Sequence, residues 1–552
     1  MISTQQPHAA GHAHGARADR RARSVLGFTV LGTLVPGLGL IVAGWRRTGV
    51  VVLGAVVAVA VVLAVRVGRD PLGAVGSILG SGRLAAVEVL APVVGLAWAV
   101  LVVLTHRALR PAGTPTGARV AMSGVVGLLC LGVLTPAVLV SQVAVTTRRT
   151  VDTIFANGES ATRPDAVVTT GPDPWAGKPR LNVLVLGSDA GPTAGGGIRA
   201  GVRTDSIVVA SIDTHTGNTV LVSVPRNLEN LQFPPGSGLA RAYPGGYATY
   251  PGVSSTDPRS GENLVNSVYR NVPAQHPGIL GKTANEGADA LKLGLGQSLG
   301  LRIDYYVLVS LTGFKQVVDA LGGVTVNIDE PVAVGGSHDP TVLPIRFLMP
   351  GAAQHLSGYD AQWFARGRFN TDDNSRLRRQ RCTINALTTQ ASAARLLLGY
   401  QSLADTAANV TLTDIPPSVL PALVRLGDTV RAHGTQSSLV VDTGGLPGLA
   451  PADPDWDRVR AAVQLALRRS AAPPPATAAS PPASTSSRPS TAAPSPTPAP
   501  PAPTAAPTST AGPQIQPDLS RTCGYDQALA DRNLATWKAS YGSQYDSAGN
   551  RR

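Results

Sequence analysis

The sequence predicts a layered α/β/α domain with a mixed central sheet, preceded by an all-helical, multi-pass membrane segment. Long apolar stretches fill the first 150 residues, which contain few acidic side chains. Short β-rich runs then alternate with stretches of helical periodicity between about residues 181 and 398, a pattern typical of layered α/β domains. From about residue 471 onward Pro, Ala, Ser and Thr dominate, and such a composition does not bury a core.

The membrane segment contains four apolar stretches, at about residues 25–44, 49–65, 84–105 and 120–145. Each is close to the ~17–25 residues that cross a bilayer. The first contains Pro36 among several glycines, and such a segment can enter the membrane and return to the same side. Three true spans would then keep the N-terminal arginines in the cytoplasm and put the later domain outside, as the positive-inside rule favours. Four full spans would leave that domain in the cytoplasm.

The positive charge of the chain does not indicate a nucleic-acid-binding protein. The net charge is +13, which by itself is compatible with one. The arginines, however, are scattered or flank apolar stretches, and aromatic residues do not alternate with them. Because a positive excess beside membrane spans follows from topology alone, we expect the membrane, and no nucleic acid, as a partner.

The three cysteines divide between two environments. Cys130 lies inside an apolar stretch, where a thiol acts as a small apolar side chain. Cys382 and Cys523 fall in the region expected outside the cytoplasm, where disulfides form and persist. The sequence leaves open whether these two cysteines pair or remain free thiols.

Changes in composition divide the chain into six parts. In order, these are a cytoplasmic tail (1–24), the membrane segment with three to four helices (25–149), a linker (150–178), a folded extracytoplasmic domain (179–470), a disordered Pro/Ala/Ser/Thr-rich linker (471–516) and a short C-terminal segment (517–552). The proline content predicts that the second linker is a semi-rigid spacer. The C-terminal segment either docks on the domain or stays loose.

The folded domain begins with three predicted strands. Residues 181–189 are a short buried strand that runs into a turn. The β-rich runs 204–213 and 219–227 are separated by the turn residues THTGN, which predicts a β-hairpin and therefore a mixed sheet. A long Gly/Pro/Tyr-rich loop follows at 228–261, and loops of this length are usually functional or mobile.

Helices and strands alternate in the rest of the domain. We expect helices at 285–300 and 313–322, strands at 303–311 and 323–329, and two further helices at 357–369 and 370–398. Asn374 or Ser375 is the expected N-cap of the last helix. We expect that helix to expose Arg378 and Arg381 to solvent and to present on its other face Arg376, Arg379 and Thr383.

The domain contains six short sequence motifs that follow one another in a fixed order along the chain. They are GSD (187–189), RTDSIVVASID (203–213), SVPRN (223–227), NLVNSVY (263–269), IDYYVLVSLTGFKQVVDALGGVTVNI (303–328) and ARGRFNTDDNSRLRRQ (365–380). In this order and at these spacings the chain resembles the LytR-CpsA-Psr family of Gram-positive-type envelopes. The resemblance is to the actinobacterial type of this family, and the high Ala, Arg and Gly content suggests a GC-rich genome.

This resemblance implies an activity and a set of site residues. Members of the family transfer a glycopolymer from a polyprenyl-pyrophosphate carrier to peptidoglycan with Mg²⁺, forming a phosphodiester. It therefore implies a transferase in the cell membrane with its catalytic domain outside, and the lipid-linked glycan and peptidoglycan as partners. Asp189 and Asp205 would hold the metal, with Arg203 beside them in catalysis. The residues implied to bind the pyrophosphate are Arg226, Arg366, Arg368, Arg376, Arg379 and Gln380.

Such chemistry suits these residue types. Catalysis of phosphoryl transfer is mostly positioning and stabilisation of negative charge. Mg²⁺ binds one or two carboxylates together with phosphate oxygens, and guanidinium groups match phosphate oxygens bidentately. Taken singly, Asp189 is equally well explained as a turn residue, and Arg203 with Asp205 as a surface ion pair.

Two positions depart from the family pattern and keep other functions open. Asn227 stands where the family usually has Asp after the Pro-Arg pair. Leu264 stands where the family has a lysine, whereas Asn266 and Tyr269 match. The alternatives are a non-catalytic scaffold that binds polyprenyl-linked glycans, and a pyrophosphatase that acts on the same carrier with water as the acceptor.

Overall fold

The structure is a computed structural model, and it describes residues 25, 27–69, 81–110, 116–154, 159–164, 173–188, 203–336, 342–369, 371–391, 411–471 and 512–552. These residues form two compact units. The first unit contains the apolar helices together with residues 415–426, and the second contains the other described residues from 159 onward.

The first unit consists mainly of the apolar helices α1 (Leu38–Val42), α2 (Arg46–Arg69), α3 (Ser81–Leu109) and α4 (Thr116–Ile154). Three of them, α2 to α4, are long and apolar enough to cross a membrane. The first apolar stretch is broken by a turn at Pro36 and Gly37. Gly37 has a φ of 97°, and a β-carbon there would lie 2.5 Å from the carbonyl oxygen of Gly49. The break agrees with three long helices plus one interrupted stretch, while the re-entrant path and the topology remain predictions.

Strands of the second unit are β1 (Arg180–Ser188), β2 (Thr204–Asp213), β3 (Thr219–Val224), β4 (Tyr305–Ser310), β5 (Val324–Ile328), β6 (Val332–Gly335), β7 (Pro344–Leu348), β8 (Gly351–Leu356), β9 (Thr411–Thr413) and β10 (Gln436–Val440). Six of them form the central sheet in the order β10-β3-β2-β1-β4-β9. β1 runs antiparallel to β2 and parallel to β4. β3 runs antiparallel to β2 and parallel to β10.

One edge of this mixed sheet therefore collects several strand ends. The carboxyl ends of β1, β3, β4 and β10 meet there with the amino end of β2. We call this side the carboxyl edge. The two small sheets lie apart from the central one, since β5 pairs with β8 and β6 pairs with β7.

The predicted hairpin of β2 and β3 is confirmed. Its register runs from Ile207↔Val224 to Ile212↔Thr219. The turn is fixed by the Asp213 carboxylate, which accepts hydrogen bonds from the backbone N–H groups of His215 and Thr216 at 3.1 and 2.9 Å. These bonds satisfy turn N–H groups that the strands leave unpaired, as Asp does in such turns.

Helices of the second half of the chain are α5 (Gly238–Ala242), α6 (Val268–Gln275), α7 (Glu286–Leu299), α8 (Leu311–Ala320), α9 (Gly358–Arg366), α10 (Asp373–Gln390), α11 (Leu420–His433), α12 (Trp456–Ala471), α13 (Leu519–Thr522) and α14 (Gln527–Tyr541). The predicted N-cap of α10 is wrong. Asp372 caps it instead, accepting from the Ser375 N–H at 2.8 Å, because the helix begins earlier than expected. Residues 392–398 of that prediction lie outside the described residues.

Apolar side chains cover both faces of the central sheet. On one face, Leu184 and Leu308 pack in a large cluster with Leu291 of α7 and Val459 of α12. The other face is covered by α10 and α13, and its cluster contains Val208, Leu221, Ile384, Leu519 and Cys523. Helices, sheet and helices form three layers, so the predicted fold class is confirmed.

The C-terminal segment docks on the domain, which settles one alternative that the sequence left open. Gln516 and Ser438 exchange two backbone hydrogen bonds of 2.9 Å at the β10 edge. The ring of Phe347 in β7 lies 5.3 Å from Trp537 of α14. Cys382 and Cys523 are joined in a disulfide. The segment is therefore tied to α10 covalently and to β7 by aromatic packing, and the residue just before it is hydrogen-bonded to β10.

The disulfide predicts a simple pattern of alkylation. Under denaturing, non-reducing conditions only Cys130, the one free cysteine, should react with iodoacetamide, whereas all three cysteines should react after reduction. Intact-mass measurement of the full chain would read one adduct and then three. In Cys382→Ser, the freed Cys523 should give two adducts without reductant. Three adducts on the denatured, unreduced wild-type chain would contradict the pairing of Cys382 with Cys523.

Candidate functional site

Charged side chains gather at the carboxyl edge. Arg203 directly precedes β2 and Asp205 is its second residue, at a point where the register between β1 and β2 shifts. Arg226 follows the end of β3, and its Nη1 donates to Oδ1 of Asp205 at 2.9 Å. The Asp205 side chain is 35% exposed and that of Arg226 is 29% exposed. Both groups are therefore within reach of a ligand.

A carboxylate that the motifs did not indicate orients Arg203. Arg203 Nη2 donates to Oε1 of Glu262 at 2.6 Å. Oε2 of the same carboxylate accepts from Arg270 and, at 3.0 Å, from Asn271 Nδ2. Burial alone raises the pKa of Glu262, but the bonds from Arg270 and Asn271 and the charges of both arginines outweigh it and hold the pKa below its ordinary value. Glu262 therefore stays ionised and positions two guanidinium groups.

Helix α10 reaches the same edge through Gln380. Its Nε2 donates to Oγ of Ser206 at 2.8 Å, directly beside Asp205 in the chain. Arg376 lies one turn earlier on α10 and is only 4% exposed. Of the predicted site residues, Asp205 and Arg226 contact each other directly, while Arg203 and Gln380 reach this edge through their contacts with Glu262 and Ser206.

Arg379 is bound within the protein itself. Its Nε donates to the Phe364 carbonyl at 2.8 Å, Nη2 donates to the Gly367 carbonyl, and Nη1 pairs with Glu330. Burial lowers the pKa of Arg379, and the Glu330 charge opposes that shift. Arg379 donates all these hydrogen bonds to groups at the junction of α9 and α10. This geometry therefore does not favour the predicted contact between Arg379 and the pyrophosphate. The residue stabilises the turn that presents α10.

The prediction of a solvated face on α10 is wrong. Arg381 is buried, at 7% exposure, and Arg378 is half-buried in an ion pair of 2.9 Å with Asp329. Burial lowers the pKa of Arg381 to about 10, while the charge of Asp442 opposes that shift and the charge of Arg378 adds to it. The sheet and α13 pack against this face, which α10 alone does not reveal.

The remaining predicted residues have three different settings. Arg366 ends α9, and its guanidinium lies over the Trp363 ring at 5.3 Å from the centroid. Arg368 is half-buried between α9 and α10. Asp189 lies outside the described residues, directly after Ser188, which pairs with Thr204 in the sheet.

Together, fold and site define a class of protein in which apolar helices of membrane-spanning length precede an α/β domain with guanidinium groups at the carboxyl edge of its sheet. Ligands of open α/β sheets bind outside the carboxyl ends of the strands. The model of the LytR_cpsA_psr family matches residues 159–440. The chain belongs to this family.

Similar proteins come from several bacteria. Regulatory protein MsrR of Staphylococcus aureus is 25% identical over 242 residues, which is 43% of this chain and 58% of MsrR. The polyisoprenyl-teichoic acid–peptidoglycan teichoic acid transferase TagU of Oceanobacillus iheyensis is 25% identical over 249 residues, 45% of this chain and 62% of TagU. The chain therefore matches less than two thirds of the length of either relative.

Solved structures also align with the chain. Bacillus subtilis TagV has a TM-score of 0.35 and 20% identity, covering 52% of this chain and 97% of TagV. A LytR-Csp2A-Psr enzyme from Actinomyces oris has a TM-score of 0.34 and 16% identity, covering 55% and 94%.

Proposed function

We propose that this protein transfers a glycopolymer from a polyprenyl-pyrophosphate carrier onto peptidoglycan through a phosphodiester bond. The observation that carries the proposal is the meeting of Arg203, Asp205, Arg226 and Gln380 at the carboxyl edge. These are positions at which the family motifs match. The name of the relative TagU, a transferase of teichoic acid to peptidoglycan, supports the same reaction class.

Arginines at this edge suit the charge that the reaction develops. An acceptor hydroxyl oxygen attacks the phosphorus next to the glycan and gives its proton to a general base, the bridging P–O bond breaks, and polyprenyl phosphate leaves. Arg203 and Arg226 would bind the phosphoryl oxygens. Glu262 holds Arg203 through a hydrogen bond of 2.6 Å, and Asp205 holds Arg226 at 2.9 Å. Groups fixed in advance stabilise a transition state without reorganising.

We further propose Mg²⁺ as the cofactor, held by Asp205 and Asp189. No group of three His, Cys, Asp or Glu side chains forms a metal site among the residues that the structure describes. Mg²⁺ does not need one, because it binds one or two carboxylates and completes its shell with phosphate oxygens and water. The partly exposed Asp205 carboxylate fits that donor set. When bound, the ion would neutralise charge on the transferred phosphoryl group.

The proposed location is the cell membrane, with several spans and the domain outside the cytoplasm. Three apolar helices of sufficient length support the membrane segment. The Cys382–Cys523 disulfide supports an oxidising compartment for the domain, since such bonds are rare in the cytosol.

The test uses the full chain in lipid nanodiscs. It is incubated with a polyprenyl-pyrophosphate-linked oligosaccharide, a peptidoglycan oligomer and Mg²⁺, and the products are identified by mass spectrometry. We expect a phosphodiester-linked glycan–peptidoglycan product that disappears on chelation. Polyprenyl phosphate with a free phosphorylated glycan would indicate the pyrophosphatase instead. Binding of the lipid without turnover would indicate the scaffold.

A further inference from the structure

Arg381 is a buried cation whose donors are not satisfied within the described part of the chain. The residue is 7% exposed, and neither Nε nor Nη1 donates a hydrogen bond to a described group. Buried guanidinium groups normally find acceptors, because an unpaired buried donor loses its hydration without compensation. Arg379, two residues earlier, does so through Phe364, Gly367 and Glu330.

Arg381 also lies at the edge of the sheet where the proposed site is. The preceding residue, Gln380, donates to Ser206 beside Asp205. Asp442, two residues beyond the end of β10, is the anionic group whose field acts on Arg381. The following residue, Cys382, is bonded to Cys523, which fixes this turn of α10. The guanidinium is therefore held in place between α10 and the carboxyl edge.

Several other buried polar atoms on this side of the sheet are unsatisfied among the described residues, and two of them bear on Arg381. One is Oγ of Ser223, a residue that is 1% exposed. In the sheet register Ser223 pairs with Val208, a member of the apolar cluster covered by α10, so its hydroxyl faces the helix. The other is Oε1 of Gln380, whose Nε2 is already used. The unused donors of Arg381 and Ser223 share one side of the sheet.

We propose that Arg381 binds a phosphate oxygen of the polyprenyl-pyrophosphate carrier, with the Ser223 hydroxyl as a further donor. This inference rests on the proposed function and adds two residues to its site. A guanidinium matches a phosphate group through two parallel hydrogen bonds. The neighbouring Arg378 does not take part, since it is paired with Asp329.

This assignment has a thermodynamic signature that a structural role lacks. A buried cation kept for a ligand destabilises the ligand-free protein, because its lost hydration is restored only on binding. Arg381→Met should therefore raise the melting temperature of the free protein and weaken binding. A structural arginine would lower the melting temperature on removal and leave binding unchanged.

The experiment uses the full chain in nanodiscs with farnesyl pyrophosphate as the probe, in the presence of Mg²⁺. Affinity is measured by titration, and the melting temperature is measured with and without the probe. Arg381→Met should bind the probe at least about tenfold more weakly, the loss of one charge-assisted contact. Arg381→Lys keeps the charge but lacks the planar guanidinium group. Its affinity for the probe should therefore lie between those of the wild type and Arg381→Met. The matched control is Arg378→Met on the same helix, which should melt earlier and bind normally.

Wild-type affinity in Arg381→Met would overturn the inference. If that variant does not fold, wild-type affinity in Arg381→Lys would overturn it equally, as would a wild-type protein that does not bind the probe. The proposed transfer is judged separately, by product formation. If Arg381→Met binds the probe more weakly but the wild type forms no transfer product, the proposed transferase activity is wrong and Arg381 is still a phosphate-binding residue.

Discussion

Replacing Asp205 by Ala should slow glycopolymer transfer by at least about a hundredfold, the usual range for removing one preorganised electrostatic group. Asp205 holds Arg226 at 2.9 Å and is the described carboxylate that we propose to bind Mg²⁺. The domain should stay folded, because both side chains of this pair are partly exposed and such pairs contribute about 1 kcal/mol or less. Initial rates of product formation and the melting temperature measure the two effects.

The control for this variant is Asp428→Ala. Asp428 also pairs with an arginine, since Arg431 Nη2 lies 2.7 Å from its Oδ1, but it lies on α11. The next two residues of that helix lie beside Gly217 in the hairpin turn, at the end of the sheet opposite the carboxyl edge. We expect its transfer rate to equal that of the wild type. The transfer rate of Asp205→Asn should lie between those of the wild type and Asp205→Ala, because the amide oxygen still accepts a hydrogen bond from Arg226 but carries no charge to bind a metal. Near-normal transfer by Asp205→Ala would remove Asp205 from the site and Mg²⁺ from the proposal.

Local patterns predicted the parts of the fold that depend on local physics. β2 and β3 follow from alternating apolar residues and from a turn that Asp213 fixes by bonding the N–H groups of His215 and Thr216. The hairpin then places Arg226 next to Asp205, since the Ile207↔Val224 pairing aligns the two strand ends. This part of the candidate site followed from the sequence because the two segments are near neighbours along the chain.

Contacts between segments that are far apart along the chain could not be predicted from the sequence. Glu262 precedes the NLVNSVY motif by one residue, and nothing in its spacing indicates that it joins Arg203 to Arg270. Helical periodicity predicts which arginines of α10 share a face of the helix. It does not predict which of those faces other segments of the chain cover. The answer depends on Leu519 and Cys523, which reach α10 from across the long linker. Hence the exposure of Arg381 was predicted wrongly.

A buried ion pair should give the largest loss of stability. Lys292 Nζ lies 2.5 Å from Oδ2 of Asp414, and the two side chains are 1% and 3% exposed. Lys292 also donates to the Asp304 carbonyl at 2.8 Å, and Asp414 accepts from the Tyr306 N–H at 2.7 Å. Lys292→Met leaves the Asp414 carboxylate buried without its cation, so we expect a loss of about 3–5 kcal/mol in the free energy of unfolding. Urea unfolding followed by tryptophan fluorescence measures it.

Charge, and not the lost methylene packing, is the expected cause, and a second substitution separates the two. In Lys292→Met with Asp414→Asn, neither of the two positions carries a charge and the amide oxygen still accepts from Tyr306, so much of the stability should return. The coupling energy from the four proteins isolates the pair. Lys282→Met is the matched control, because Lys282 is 88% exposed and 3.9 Å from Glu159, and it should change stability by less than about 0.5 kcal/mol. A loss in Lys292→Met that the second substitution does not relieve would instead assign the effect to packing between α7 and β4.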